Sequence, residues 1–190
     1  MRTARKPPCV GDEEIVAATR AWLERVVIGL NLCPFAKSVH VKKQIRYAVS
    51  AAQTPEALLA DLIAELRILQ AADPSDIDTT LLMHPRVLDD FLDYNDFLEL
   101  ADAAVAAEGL EGEIQIASFH PRYQFAGTQP EDMENYSNRS PCPTLHLLRE
   151  ASIARAVAVF PEASRIYERN IDTLRRLGHE GWRRLWIENG

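Results

Sequence analysis

The segment TTLLMHPRVLDD, residues 79–90, decides the fold. Thr79 to Met83 carry no charge and are short and aliphatic, which predicts a central strand covered on both faces. His84-Pro85-Arg86 ends that run. Asp89 and Asp90 then suit the first turn of a helix, predicted from about Leu88 to Ala107. A strand that leaves through a turn into a helix is one step of an alternating α/β chain.

The same step returns downstream. Gly109 and Gly112 turn the chain into a predicted strand from Glu113 to Phe119, and His120-Pro121-Arg122 follows it. Upstream, Ile15, Val16, Thr19, Trp22, Leu23, Val26, Val27 and Leu30 repeat at helical spacing, predicting a helix from about Asp12 to Leu30 that Asn31 and Pro34 stop. Ile45, Tyr47 and Val49 alternate with polar partners and predict an edge strand over about Gln44 to Ser50. Thr54 caps the next helix, with Pro55 in its first position and Leu58, Leu59, Leu62, Ile63, Leu66 and Leu69 on its buried face.

Residues 120–142 form a long polar segment without clear periodicity. A segment of that length in a compact domain usually has a function, and a substrate lid is expected here. Pro143 and Thr144 are read as opening a helix to about Val159, and Pro161 as opening another. Gly178 ends that one, and Trp182, Leu185 and Trp186 suggest a last short helix. The expected class is α/β: a small, mainly parallel three-stranded sheet flanked by helices, with a C-terminal helical segment. A disordered tail over residues 1–10 and a single domain over 11–190 are expected.

Composition fits that class. Of 190 residues 47% are hydrophobic and 26% charged, ordinary values for a globular chain. The net charge of -7 disfavours nucleic acid and anionic membrane. Pro7, Pro8 and then Asp12, Glu13 and Glu14 follow the basic start, so no signal peptide is expected. No apolar run approaches the roughly 20 residues of a membrane span. Three cysteines, Cys9, Cys33 and Cys142, suit a reducing compartment, and a cytoplasmic protein is expected.

The chemistry gathers in two pairs of turns. If both strands are parallel, both His-Pro-Arg turns lie at the carboxyl edge of the sheet, where ligands of open α/β sheets bind. Adjacent parallel strands would put His84 and His120 within roughly 10 Å. Each turn offers an imidazole that can move protons and a guanidinium that can grip an anion. A single His-Pro-Arg is ordinarily a strand-ending turn with a surface arginine; two in successive strand units carry more weight. The second pair is Cys33-Pro34 and Cys142-Pro143. Cys142 is expected at a helix N-cap, where a thiol's pKa falls, while the ordinary fate of a free cysteine is burial. No Gly-rich phosphate loop, HExxH, CxxC or GxSxG occurs.

The stretches GLNLCPFAK (29–37), TLLMHPRVLDDFLDYNDFLE (80–99), IQIASFHPRYQFAG (114–127) and ENYSNRSPCPTLHLLRE (134–150) resemble the bacterial family of unknown function numbered fourteen-fifteen. The resemblance covers nearly the whole chain apart from the tail. It implies a bacterial protein of one domain and this size, and it implies no activity. Its motif positions fall on Asn31, Cys33, Pro34, His84, Pro85, Arg86, His120, Pro121, Arg122, Asn138, Arg139, Cys142 and Pro143.

Three functions are in view. The leading one is an enzyme acting on a small anionic metabolite. In it His84 and His120 share acid–base work, Lys37, Arg86, Arg122, Asn138 and Arg139 hold carboxylate or phosphate, and Cys142, with Cys33, supplies a thiol. The second is a Cys2His2 metal site of Cys33, His84, His120 and Cys142. The third is a non-catalytic protein that binds a ligand or partner. No cofactor is identified, and the oligomeric state is left open.

Overall fold

The computed structural model describes residues 11–159 and 165–187. The elements in order are α1 (Asp12–Trp22), a π-helical stretch (Leu23–Ile28), α2 (Ala36–Val41), β1 (Ile45–Val49), α3 (Pro55–Ala71), β2 (Thr79–Met83) and α4 (Phe91–Ala107). They continue with β3 (Ile114–Phe119), a 3₁₀ helix (Met133–Asn138), β4 (Thr144–Arg149), α5 (Glu150–Ala158) and α6 (Ile166–Ile187). The expected tail and Pro161 lie outside the described residues.

The class is α/β, but the sheet differs from the expected one. It has four strands in the order β1-β2-β4-β3. β1 and β2 are parallel, whereas β4 runs antiparallel to both β2 and β3. The stretch from Thr144 to Arg149 was expected to be helical and is a strand. Leu145 and Leu148 carry a helical spacing, but Leu145 and Leu147 carry a strand spacing too, and a short apolar run fits both periods. In the fold Leu145 and Leu147 are fully buried, so the period of two prevails. β4 separates β2 from β3, so those two are not neighbours.

Several other expected elements are met or shift by a few residues, while α2 was not among those expected. β2 is buried at all five positions. β1 lies at an edge of the sheet. The Thr54 hydroxyl accepts the N–H of Ala57, and Pro55 opens α3. α4 begins at Phe91 rather than Leu88, because the Asp90 carboxylate takes the N–H groups of Leu92 and Asp93 and so acts as the N-cap. The first helix changes to π geometry after Trp22 and ends at Asn31, which is left-handed at φ 53°. Gly178, at φ 62°, breaks α6 into two helices meeting at a kink.

The pleat sorts side chains onto two faces. One face packs on α3 and α4: Leu82, Leu145, Leu147 and Ile114 join Leu58, Leu62, Leu66, Leu69, Tyr94 and Phe97. Each of the four α3 leucines is fully buried, stabilising by about 2 kcal/mol relative to exposure. The other face packs on α1, the π-helical stretch and α6: Ile45, Tyr47 and Phe119 meet Trp22, Val26, Met133 and Leu174.

Candidate functional site

The sheet register brings the two His-Pro-Arg turns to one edge. Met83 pairs with Thr144, and Thr144 with Phe119, so β2 and β3 end level with the start of β4. The next residues are His84 and His120, two strand spacings or roughly 10 Å apart along that edge. The His84 N–H donates to the Pro143 carbonyl at 2.9 Å, and the His120 N–H to the Asn138 carbonyl at 3.1 Å.

Between the two imidazoles stands Tyr94 of α4. Its ring centroid is 5.6 Å from that of His84, stacked, and 5.1 Å from that of His120. Its hydroxyl donates to the Thr144 carbonyl at 2.9 Å and accepts the Phe119 N–H at 3.1 Å, linking the ends of β4 and β3. A tyrosine on the buried stripe of an amphipathic helix must place its hydroxyl somewhere, and that was the one sequence signal for it.

The two histidines do different work. At His120 the ring Nε2–H donates to the Leu88 carbonyl at 3.2 Å, and Nδ1 accepts the Arg122 N–H at 3.0 Å. Both nitrogens are committed and the tautomer is fixed. Burial lowers this pKa, the Leu88 carbonyl opposes the shift, and nearby Arg122 adds to it. At His84, Nδ1–H donates to the Val87 carbonyl at 3.1 Å, while Nε2 is buried and has no partner among the described residues. Burial pushes the His84 pKa down to about 4, partly offset by the Val87 carbonyl.

Together these bonds clamp one loop. Successive carbonyls at Val87, Leu88 and Asp89 are taken by His84, His120 and Arg122. Leu88 sits at φ 58°, a left-handed conformation that costs a bulky residue about 1 kcal/mol or more. The second His-Pro-Arg turn therefore holds the loop that follows the first in a strained shape.

The arginines do not converge. Arg86 donates from Nη1 to the Ser50 carbonyl at 3.1 Å and from Nη2 to Asp12 at 3.0 Å. Arg122 points to Asp89. Arg139 donates to the carbonyls of Tyr123 at 3.2 Å and Pro130 at 2.6 Å, and lies over the Tyr136 ring at 4.2 Å. Asn138 ties its amide to the Ser118 carbonyl at 3.1 Å, and Lys37 is exposed on α2. Residues 120–142 are internally bonded: buried Asn135 accepts from Phe125 N–H and the Thr128 hydroxyl and donates to the Gln129 carbonyl. Met133 packs beside Leu174 of α6.

The cysteines lie across the sheet from the histidines. Cys33 packs with Trp22 and Leu32 in the α1-side cluster, and Thr19 of α1 lies beside the Cys142 sulfur. Both histidines lie against α4. Cys142 precedes a strand, not a helix, so no helix N-terminus stabilises its thiolate. Burial instead pushes its pKa up to about 11, with the Thr144 and Thr19 hydroxyls opposing, and burial likewise raises Cys33. The sheet stands between the thiols and the imidazoles of the alternative Cys2His2 centre. Among the described residues no group of three or more His, Cys, Asp or Glu could hold a metal ion.

Two groups at this edge carried no sequence signal. Ser50, buried at the end of β1, donates its hydroxyl to Asp61 at 2.5 Å. Asp12 opens α1 and reaches Arg86 from far along the chain. No described helix is long and apolar enough to cross a membrane.

A family model described as "Protein of unknown function (DUF1415)" matches residues 14–184. No curated protein and no solved structure matches the chain.

Proposed function

The chain belongs to the DUF1415 family, and we propose that it is a ligand-binding protein that takes a small carboxylate or phosphate at Arg86. One observation carries this reading. Arg86 is held at the carboxyl edge by a main-chain carbonyl, yet its other partner is the exchangeable carboxylate of Asp12. The two side chains are 36% and 61% exposed. An incoming anion can replace Asp12 on a guanidinium that is already oriented. Arg122 and Arg139 are committed to loop carbonyls and serve the architecture. The thiols, partly buried and raised in pKa on the opposite face, support binding over nucleophilic chemistry.

Of the acid–base roles anticipated for the two histidines, only that of His84 has support. Its Nε2 lone pair is neutral and uncommitted, whereas His120 has neither nitrogen free. A catalytic reading therefore rests on His84 alone, beside Arg86 in the same turn.

One titration tests both. Phosphate at ten times its Kd should stabilise the fold by about 1.4 kcal/mol, raising Tm by roughly 3–5 °C over chloride at matched ionic strength. Arg86→Ala should remove the shift and Arg122→Ala should keep it. An equal Tm in the two salts sinks the anion site. A change in the His84 ¹⁵Nε2 resonance on phosphate addition supports the catalytic reading, and an unmoved resonance leaves binding alone.

A further inference from the structure

The outer edge of β1 is an open hydrogen-bonding edge. β1 is the first strand of the sheet and, among the described residues, pairs only with β2. Among the described residues no backbone or side-chain bond reaches the N–H and C=O groups of residues 45–49 from the other side. Exposed edges are usually blunted by proline, an outward lysine or a bulge. Ile45-Arg46-Tyr47-Ala48-Val49 has none of these. Its one charge, Arg46, is turned onto α3, where it makes a bidentate pair with Glu65 at 2.7 and 2.9 Å. The opposite edge differs: at the end of β3 the Asn138 amide covers the Ser118 carbonyl.

A groove runs beside this open edge. Its volume is about 410 Å³, and Asp12, Glu13, Val16, Tyr47 and Val49 line it. Val16, Tyr47 and Val49 give it an apolar floor. Glu13 gives one end negative charge beside an Asp12 that is paired with Arg86, and the Arg20 guanidinium lies over the Tyr47 ring at 5.1 Å. Among the described residues the buried Tyr47 hydroxyl has no partner. A strand laid against β1 would turn every second side chain toward α1 and into this groove.

We infer that β1 and α1 together form a docking site for an extended, basic peptide segment of a partner protein, added to the sheet as a fifth strand. Main-chain bonds to β1 supply affinity. Alternate side chains supply selectivity, an aliphatic one over Val16 and Val49 and a lysine or arginine toward Glu13. Glu13 and the chain's net charge of -7 favour a basic partner over an acidic one.

A library of random ten-residue peptides displayed on phage and panned against the full chain tests this. Enriched peptides should alternate aliphatic residues with Lys or Arg. A synthetic copy of the best one should bind at least tenfold more weakly to Glu13→Lys, which leaves the Arg86–Asp12 pair intact. N-methylation of its alternate amides should weaken binding at least tenfold in one register and little in the other. No enrichment, enrichment without basic bias, or indifference to both changes overturns the proposal. So does sedimentation showing that a second copy of this chain occupies the edge.

Discussion

The two His-Pro-Arg turns share a tripeptide, an edge and a strand direction, yet they are built for opposite purposes. Residues 120–122 face inward: both His120 nitrogens meet backbone groups and Arg122 reaches the Asp89 carbonyl. Residues 84–86 are less committed: among the described residues His84 Nε2 has no partner, and Arg86 ends on an exposed carboxylate. A repeated motif thus does not imply a repeated function. What distinguishes the copies is the strained 87–89 loop, which follows one turn and is gripped by the other.

The largest effect should separate the imidazoles. His120→Ala removes a buried ring and strands two backbone groups, the Leu88 carbonyl and the Arg122 N–H. It should cost about 4 kcal/mol, some 1–2 kcal/mol more than His84→Ala, which strands only the Val87 carbonyl. Urea unfolding measures both. Equal losses would break the comparison.

A smaller effect lies in acid. The folded chain holds His84 neutral with a pKa of about 4, below the roughly 6.5 of an exposed imidazole. The unfolded chain then binds the extra proton between those values. The stabilisation is complete above pH 6.5 and is lost as pH falls toward 4, to a total of about 3 kcal/mol. In His84→Leu the pH dependence of unfolding over that window should shrink by about this amount. An unchanged slope would show that His84 is not held neutral.

The smallest effect concerns the arginines. Both ion pairs are exposed, and each substitution to alanine should cost no more than about 1 kcal/mol. Amide exchange separates them: Arg122→Ala should speed exchange at residues 88–90, and Arg86→Ala should not. Faster exchange in both would mean that Arg86 also holds the loop.

Much of this was legible in the chain itself. The α3 leucine stripe, the Thr54-Pro55 start, the uncharged β2 and the alternating β1 follow from periodicity and capping, which are local. The site was legible only in part. Its edge could be deduced from two strands leading into like turns, but which atoms stayed free could not, because the partners Asp12, Ser50, Leu88 and Tyr94 are distant in sequence from the groups they meet.

The sequence by itself determined the α/β class, the long helices α1, α3 and α4 and three of the strands, because burial periodicity is written residue by residue. Only the tertiary structure decided that residues 144–149 are a strand, since their short apolar run fits both periods until β2 and β3 offer it hydrogen bonds on both sides. That insertion keeps β2 and β3 apart while leaving their ends level. The pleat then sends the histidines to α4 and Cys142 to α1, where Cys33 already packs, so the sheet stands between groups that looked like one site.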